Sequence, residues 1–205
     1  MNFKLDIDIQ QGSHCIIQRR YAINMKLNKP WPLTPIHRGD LILSPAKEND
    51  MTLAFLMGQD AWGADYQTEE YLDICYKSEK YRSGNWLILR DSNGTPVSSA
   101  ICYTIPGHNN SSWIGIGSLA TEMNSRKKGY GLGCLSMLID GYEKQQKNKG
   151  FMLFQDVDTK IYSSAGFITA ESMGYKGTHQ NLLLRAGEKN KQEIEFILKN
   201  PPHYF

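Results

Sequence analysis

Arg126-Lys127-Lys128-Gly129-Tyr130-Gly131-Leu132-Gly133 leads directly into a stretch with leucines in helical register, and an apolar run from Trp113 to Ala120 precedes it. A strand, a glycine-rich turn and a helix N-terminus in that order make a cradle for an anion. Glycines let the backbone approach an anion closely and turn successive N–H groups toward it. The helix dipole adds roughly half a positive charge at the same point. Three basic side chains add further attraction, so the stretch points to a phosphate-bearing ligand.

The pattern extends in both directions. Downstream, Leu132, Leu135, Leu138, Ile139 and Tyr142 fall on one helical stripe, the last turn is lysine-rich, and Gly150 closes it. Phe151 to Phe154 reads as a buried strand and Asp158 to Ala165 as a short helix. Phe167 to Ala170 and Asn181 to Arg185 read as strands, and a last helix runs from Lys191 to Leu198, before Pro201. Upstream, Trp86-Leu87-Ile88-Leu89 and Val97 to Ile105 are strands joined by Asp91-Ser92-Asn93-Gly94, whose Asn-Gly is a hairpin signal. Helices are expected over Thr68–Tyr81, with Tyr71, Leu72, Cys75 and Tyr76 on the apolar face, and over Met51–Met57. Leu41-Ile42-Leu43 is a short strand, after which Ser44-Pro45 resembles an N-cap with proline at the first helical position. Before it, Phe3 to Ile9 alternates with period two, Cys15-Ile16-Ile17 is a possible partner strand, and Pro30, Pro32 and Pro35 punctuate the chain. The expected architecture is mixed α/β, with a half-antiparallel, half-parallel sheet flanked by helices. It divides into an N-terminal extension (1–39), a core (40–186) and a C-terminal helical tail (187–205).

Composition narrows the function. The 205 residues suit one compact domain that buries about 70% of its unfolded surface. Twenty-three basic against 21 acidic side chains give a net charge of +2, too balanced to call for nucleic acid or membrane as a partner. The start carries Asp6 and Asp8 and reads as no signal peptide, and no apolar run approaches the ~18 residues needed to span a bilayer. Cys15, Cys75, Cys102 and Cys134 lie far apart and the five histidines are scattered, so neither a metal site nor a disulfide framework is expected. A reduced, cytoplasmic setting follows from that cysteine usage.

Two other readings of the glycine loop fail on chemistry. A P-loop needs Lys then Ser or Thr after its last glycine, and no Gly-Lys-Ser/Thr occurs here. A dinucleotide fingerprint needs Gly-x-Gly-x-x-Gly, whereas Gly129, Gly131 and Gly133 are spaced two and two.

Three stretches together resemble the GCN5-related N-acetyltransferase (GNAT) family. Leu41 to Asp50 looks like its opening strand and turn into the first helix. Arg126-x-x-Gly129-x-Gly131 matches its acetyl-CoA pyrophosphate motif, (Gln/Arg)-x-x-Gly-x-(Gly/Ala), between strand and helix. Tyr162-Ser163-Ser164-Ala165-Gly166-Phe167 matches its Tyr-x-x-x-Gly-Phe element. Within the family, Ala61-Trp62-Gly63 with Glu69-Glu70-Tyr71-Leu72, and Trp86 to Leu89 with Pro96-Val97-Ser98-Ser99, resemble fungal lysine N-acetyltransferases.

The resemblance implies an acyl-CoA N-acyltransferase fold and acetyl-CoA or CoA as co-substrate, without metal. The sequence shows no strongly acidic groove for a basic protein tail, and its N-terminal extension would narrow access. The expected acceptor is therefore a primary amine of a small molecule or amino acid; the resemblance adds that a homodimer is common for the fold. Backbone of Leu119, Ala120 and Thr121 would hold the pantetheine arm and polarise the thioester. Arg126, Lys127, Lys128, Gly129, Tyr130, Gly131 and Leu132 would hold the pyrophosphate, and Gln155 or Asp156 would touch the cofactor arm. Tyr162 is the expected acid, since a phenol near pKa ~10 is still protonated when a thiolate of pKa about 8.5 leaves. Glu122 is the first choice of base; Asp65, Glu69 and Glu70 could instead line the acceptor pocket. Each has a plainer alternative: an exposed basic turn, a core tyrosine, solvated acids. His108 could reach the site from its loop, Cys134 is better read as helix packing, and Trp31, Trp62, Tyr66 and Trp113 as core aromatics. Two alternatives to a small-amine acetyltransferase remain open: an acyl-CoA-binding module without turnover, and an acetyltransferase of protein or aminoacyl-tRNA.

Overall fold

A computed structural model describes residues 34–145, 148–155, 160–174, 181–186 and 190–203. The strands expected at Phe3–Ile9 and Cys15–Ile17, and Trp31, Asp156 and Asp158, lie outside these residues. In chain order the elements are β1 (Ile36–Arg38), β2 (Leu41–Pro45), α1 (Met51–Leu56), α2 (Gln59–Trp62), α3 (Thr68–Lys77), α4 (Glu79–Ser83), β3 (Asn85–Arg90), β4 (Pro96–Pro106), β5 (Ser112–Thr121), α5 (Tyr130–Gln145), β6 (Gly150–Phe154), α6 (Lys160–Ser164), β7 (Ile168–Thr169), β8 (Leu182–Ala186) and α7 (Lys191–Lys199). The strands form one mixed sheet in the order β1-β2-β3-β4-β5-β6-β8-β7. Every neighbouring pair is antiparallel except β5–β6, which is parallel. The mixed α/β architecture is the one expected.

Helices cover both faces, which is why β3 and β4 read as continuous apolar runs rather than alternating ones. Trp86, Ile88, Ile101 and Tyr103 face α1, α3 and α4, packing with Phe55 and Leu72. Their neighbours Leu87, Leu89, Ala100 and Cys102 face the opposite way, onto Cys134, Leu135 and Leu138 of α5. Farther along, α7 covers Trp113, Met152, Phe154, Leu182 and Leu184 through Ile197.

Four local readings change. Ser44 and Pro45, expected as an N-cap and first helical residue, instead close β2, and the helix begins at Met51. The helix expected over Thr68–Tyr81 breaks at Ser78, whose extended backbone (ψ 118°) ends α3 and whose hydroxyl accepts the Tyr81 N–H to start α4. Leu132, placed on the apolar stripe of α5, is 39% exposed in the first helical turn; Cys134 and Met137 are buried in the stripe instead. The sheet also begins earlier than Leu41. β1 pairs with β2 and is tied to α5 by Arg38, which donates to Ser136 Oγ (2.9 Å) and Asp140 (2.5 Å).

Glu193 anchors α7 to the β4–β5 connection. One carboxylate oxygen accepts the Ser111 hydroxyl (2.8 Å), the His108 N–H (3.1 Å) and the Trp113 indole N–H (3.3 Å). Burial, the largest single influence, pushes this carboxyl up, but the hydrogen bonds together hold it below its ordinary value of 4.5. Its contribution to stability is therefore present above that value and is lost as pH falls through the lower folded value. Glu193→Ala strands three donors and should cost about 1–3 kcal/mol at neutral pH. In urea titrations the gap between wild type and variant should shrink as the pH falls below about 4.5.

Candidate functional site

The sheet opens between its two parallel strands. β5 and β6 share two pairs, Ile114 with Phe151 and Gly115 with Met152. Past these, β6 continues on β8 as far as Phe154–Leu182, and β5 continues on β4 as far as Thr121. The last six residues of β5 thus have a ladder on one side only, and a strand edge left this way offers N–H and C=O groups to a ligand. Within that edge lies a bulge. Ser99 faces Ala120 but Ile101 faces Gly117, so β5 carries one extra residue, and Ser118 takes up a left-handed φ of 43°.

The glycine loop follows. Lys127 (φ 62°) and Gly129 (φ 83°) turn the chain into α5. The Gly133 N–H donates to the Gly129 carbonyl at 2.9 Å, the first such bond of α5. The N–H groups of Tyr130, Gly131 and Leu132 precede it and have no acceptor among the described residues, as expected for a first helical turn. They border a cleft of about 600 Å³. Leu119, Ala120, Thr121, Arg126, Lys127, Gly129, Tyr130, Gly131 and Leu132 form one side, and Met57, Trp62 and Ile161 stand across from them. Lys128 is exposed beside it.

The glycines differ in what they supply. Gly129 supplies the positive φ. A Cβ on Gly131 would come within 3.0 Å of Thr121 Oγ1, so that glycine lets α5 approach β5 closely. Gly133 would meet only Leu41 Cδ1, at an ordinary 3.9 Å.

Arg126 is engaged within the protein. Its guanidinium forms a two-pronged pair with Asp60 (2.5 and 2.8 Å) and donates to the carbonyls of Thr121 (3.0 Å) and Met57 (3.4 Å). Its own N–H donates to the Met123 carbonyl. The hydrogen bond to Arg126 holds the Asp60 carboxyl below the usual carboxylate range. The pair ties α2 to the glycine loop and divides two clefts, since Met57, Asp60 and Arg126 line both. The second cleft, about 550 Å³, holds Glu122, Tyr66, Leu53 and Met123. The Glu122 carboxylate accepts from Asn124 at 3.1 Å.

Tyr162 is buried (7% exposed) in the cluster under α5, edge-on to Phe167 at 6.4 Å, while its neighbour Ile161 lines the first cleft. Gln155 extends the β6–β8 ladder, its N–H on the Asn181 carbonyl at 2.8 Å. Asp65, Glu69 and Glu70 are exposed and line neither cleft. His108 lies in a separate polar cleft with Lys149 and Glu193. Cys134 is fully buried, and desolvation pushes its thiol up to about 12, as befits helix packing. Trp113 is core, whereas Trp62 and Tyr66 line clefts. Asp60 and Met57 went unread as site residues: Met57 marked only the end of the helix expected over Met51–Met57, and the four-residue α2 that carries Asp60 has no motif. Among the described residues no group of three His, Cys, Asp or Glu side chains is placed to hold a metal, and no helix is long and apolar enough to cross a membrane.

Two glycine variants separate these roles by thermal unfolding. Gly129→Ala forces a side chain into a left-handed φ and should cost about 1–2 kcal/mol. Gly133→Ala, inside α5 with open space, should be neutral or stabilise by up to about 1 kcal/mol.

Solved structures share this architecture. A GNAT family N-acetyltransferase of Escherichia coli in complex with CoA superposes with a TM-score of 0.53 at 13% identity, covering 80% of this chain and 87% of that one. A GNAT family acetyltransferase of Brucella melitensis in complex with acetyl-CoA gives 0.50 at 12% identity, covering 73% and 89%. N-acetylglutamate synthase of Neisseria gonorrhoeae, complexed with coenzyme A and N-acetyl-glutamate, gives 0.52 at 16% identity, covering 73% of this chain and 36% of that one. No family model and no curated protein matches the sequence. The fold expected from the three motifs is therefore the one found: the chain has the fold of the GNAT family N-acetyltransferases.

Proposed function

We propose that this protein transfers the acetyl group of acetyl-CoA to a primary amine, on a small molecule or amino acid, by direct transfer in a ternary complex. The observation that carries the reading is the one-sided edge of β5 running into the unbonded N–H groups of Tyr130, Gly131 and Leu132. An extended pantetheine arm matches the first and a pyrophosphate the second. In this reading Leu119, Ala120 and Thr121 hold the arm. The loop from Lys127 to Leu132 holds the phosphates, with Lys127 and Lys128 supplying charge. Arg126 shapes the loop from behind, because its guanidinium and N–H are already engaged. Gln155 meets the arm from β6.

Tyr162 protonates the departing thiolate, and Glu122 removes the acceptor's proton. Glu122 lies three residues past Leu119, about 10 Å of extended chain, so it acts through water rather than on the amine directly. A lysine-like amine costs about 4–5 kcal/mol to deprotonate at pH 7, which a water-linked carboxylate relieves in part. The core from 40 to 186 carries the reaction, with the extension and the C-terminal tail as additions to it.

A second reading has one observation in its favour. Tyr162 is 7% exposed within the core, which suits a module that binds acyl-CoA without turnover. Thermal-shift titrations with CoA, acetyl-CoA and NAD test what the readings share. At about 100 times its dissociation constant a bound ligand adds roughly 2.7 kcal/mol, a rise of a few degrees. Both CoA forms should give it and NAD should not; no shift with either at millimolar concentration sinks both readings. Tyr162→Phe then divides them. The enzyme loses about 10²-fold or more in thiol release with its CoA shift intact, whereas the binding module has no amine-dependent release to lose.

A further inference from the structure

Tyr81, on α4, is half-buried between Phe55 and Trp86 and delivers its hydroxyl to the β5 bulge. Its ring stacks on Phe55 (centroids 5.5 Å apart, 17° between planes) and meets the edge of Trp86 at 5.3 Å. Its N–H donates to the Ser78 hydroxyl (3.3 Å), and the Trp86 indole N–H donates to its carbonyl (3.2 Å). Ring and backbone are thus fixed together, and the phenol oxygen accepts the Ser118 hydroxyl at 3.5 Å. Ser118 is the bulge residue, with its φ of 43°, and Leu119 follows it.

Three features make this more than packing. Ser118 is the donor in its bond with Tyr81, so the phenol's own proton has no acceptor among the described residues. Burial pushes the phenol above its ordinary range, so it stays protonated throughout neutral and mildly alkaline pH. On the surrounding strand face Gly117, half-buried, and Gly115, buried, stand opposite Ile101 and Tyr103, on the side that faces α4, and carry no side chain. A protonated phenol, rigidly held, therefore sits beside half-buried Ser118 at the bulge.

We propose that Tyr81 is a catalytic hydrogen-bond donor to the thioester carbonyl, acting at the bulge beside the Leu119 N–H. The assignment rests on the acetyltransferase reading above. When the amine nitrogen bonds to the carbonyl carbon, the C=O π pair moves to oxygen and negative charge gathers there. The pair then returns as the C–S bond breaks with its electrons on sulfur; sulfur takes its proton from Tyr162, and the proton shed by nitrogen goes through water to the Glu122 carboxylate. Tyr81 keeps its proton throughout; its role is to hold the charged oxygen. This is a different task from that of Tyr162, which lies on the opposite face of the sheet under α5. Loss of one such donor lowers kcat by about 10²–10³.

The carbonyl stretch of ¹³C-labelled acetyl-CoA, read by infrared difference spectroscopy on the bound complex, tests this without knowledge of the acceptor. Tyr81→Phe should raise the stretching frequency relative to wild type, because a donor is gone, while CoA affinity stays within about twofold. Ser118→Ala, which frees the phenol from its anchor but keeps the donor, should shift the band less; it also serves if Tyr81→Phe fails to fold, and an unmoved band then overturns the assignment. Acetyl-CoA bound with the same stretch in wild type and Tyr81→Phe overturns the assignment alone. Failure of the wild type to bind acetyl-CoA sinks the acetyltransferase reading and this assignment with it.

Discussion

The parting of β5 from β6 after two residue pairs is the constraint on which the site depends. A sheet that stayed paired would satisfy its backbone groups internally and offer nothing to a ligand. Here antiparallel partners hold both strands to their ends, β4 on one side and β8 on the other, so the sheet opens without unravelling. The bulge at Ser118 adds a local turn in the exposed edge, and the strand passes through one short turn, Met123–Ser125, into the glycine loop. Strand edge, bulge and helix N-terminus thus lie along one continuous stretch of backbone, and side chains only frame them.

That continuity explains the part played by charge. Arg126 opens the basic run, yet Asp60, Thr121 and Met57 take up its guanidinium. Both members of the Arg126–Asp60 pair are about 40% exposed, so solvent screens it and its net stabilisation is small. Its effect is geometric: it fixes the short α2 to the loop and forms the wall between two clefts. In the proposed reading, attraction for phosphate is left to Lys127, Lys128 and the helix N-terminus.

Much of the fold was legible in the sequence because its signals are local. The Asn-Gly hairpin, the apolar runs of β3 to β6 and the stripe of α5 follow from turn chemistry and periodicity over a few residues. The misreadings came where tertiary context decides. Leu132 has the spacing of a core residue but lies exposed in the first helical turn, and Ser78 ends one helix by capping the next. β1 is three residues of Ile-His-Arg, too short and polar to announce a strand, and exists because β2 and α5 hold it. At the site, the backbone cradle was legible as a glycine pattern. Asp60, Met57 and Tyr81 were not, because each reaches the cleft, or the strand bulge, from a short helix or its end, distant in sequence.

Hydrogen exchange with mass-spectrometric readout, with and without saturating CoA, tests the central claim most directly. The amides of residues 119–121 and 128–132 are unbonded donors or lie along a one-sided strand edge. They should slow on CoA binding, while the hairpin of β1 and β2 is unchanged. Protection confined to the polar cleft around Lys149 and Glu193, or no protection at CoA concentrations that saturate the thermal shift, would contradict the placement of the cofactor between β5 and β6.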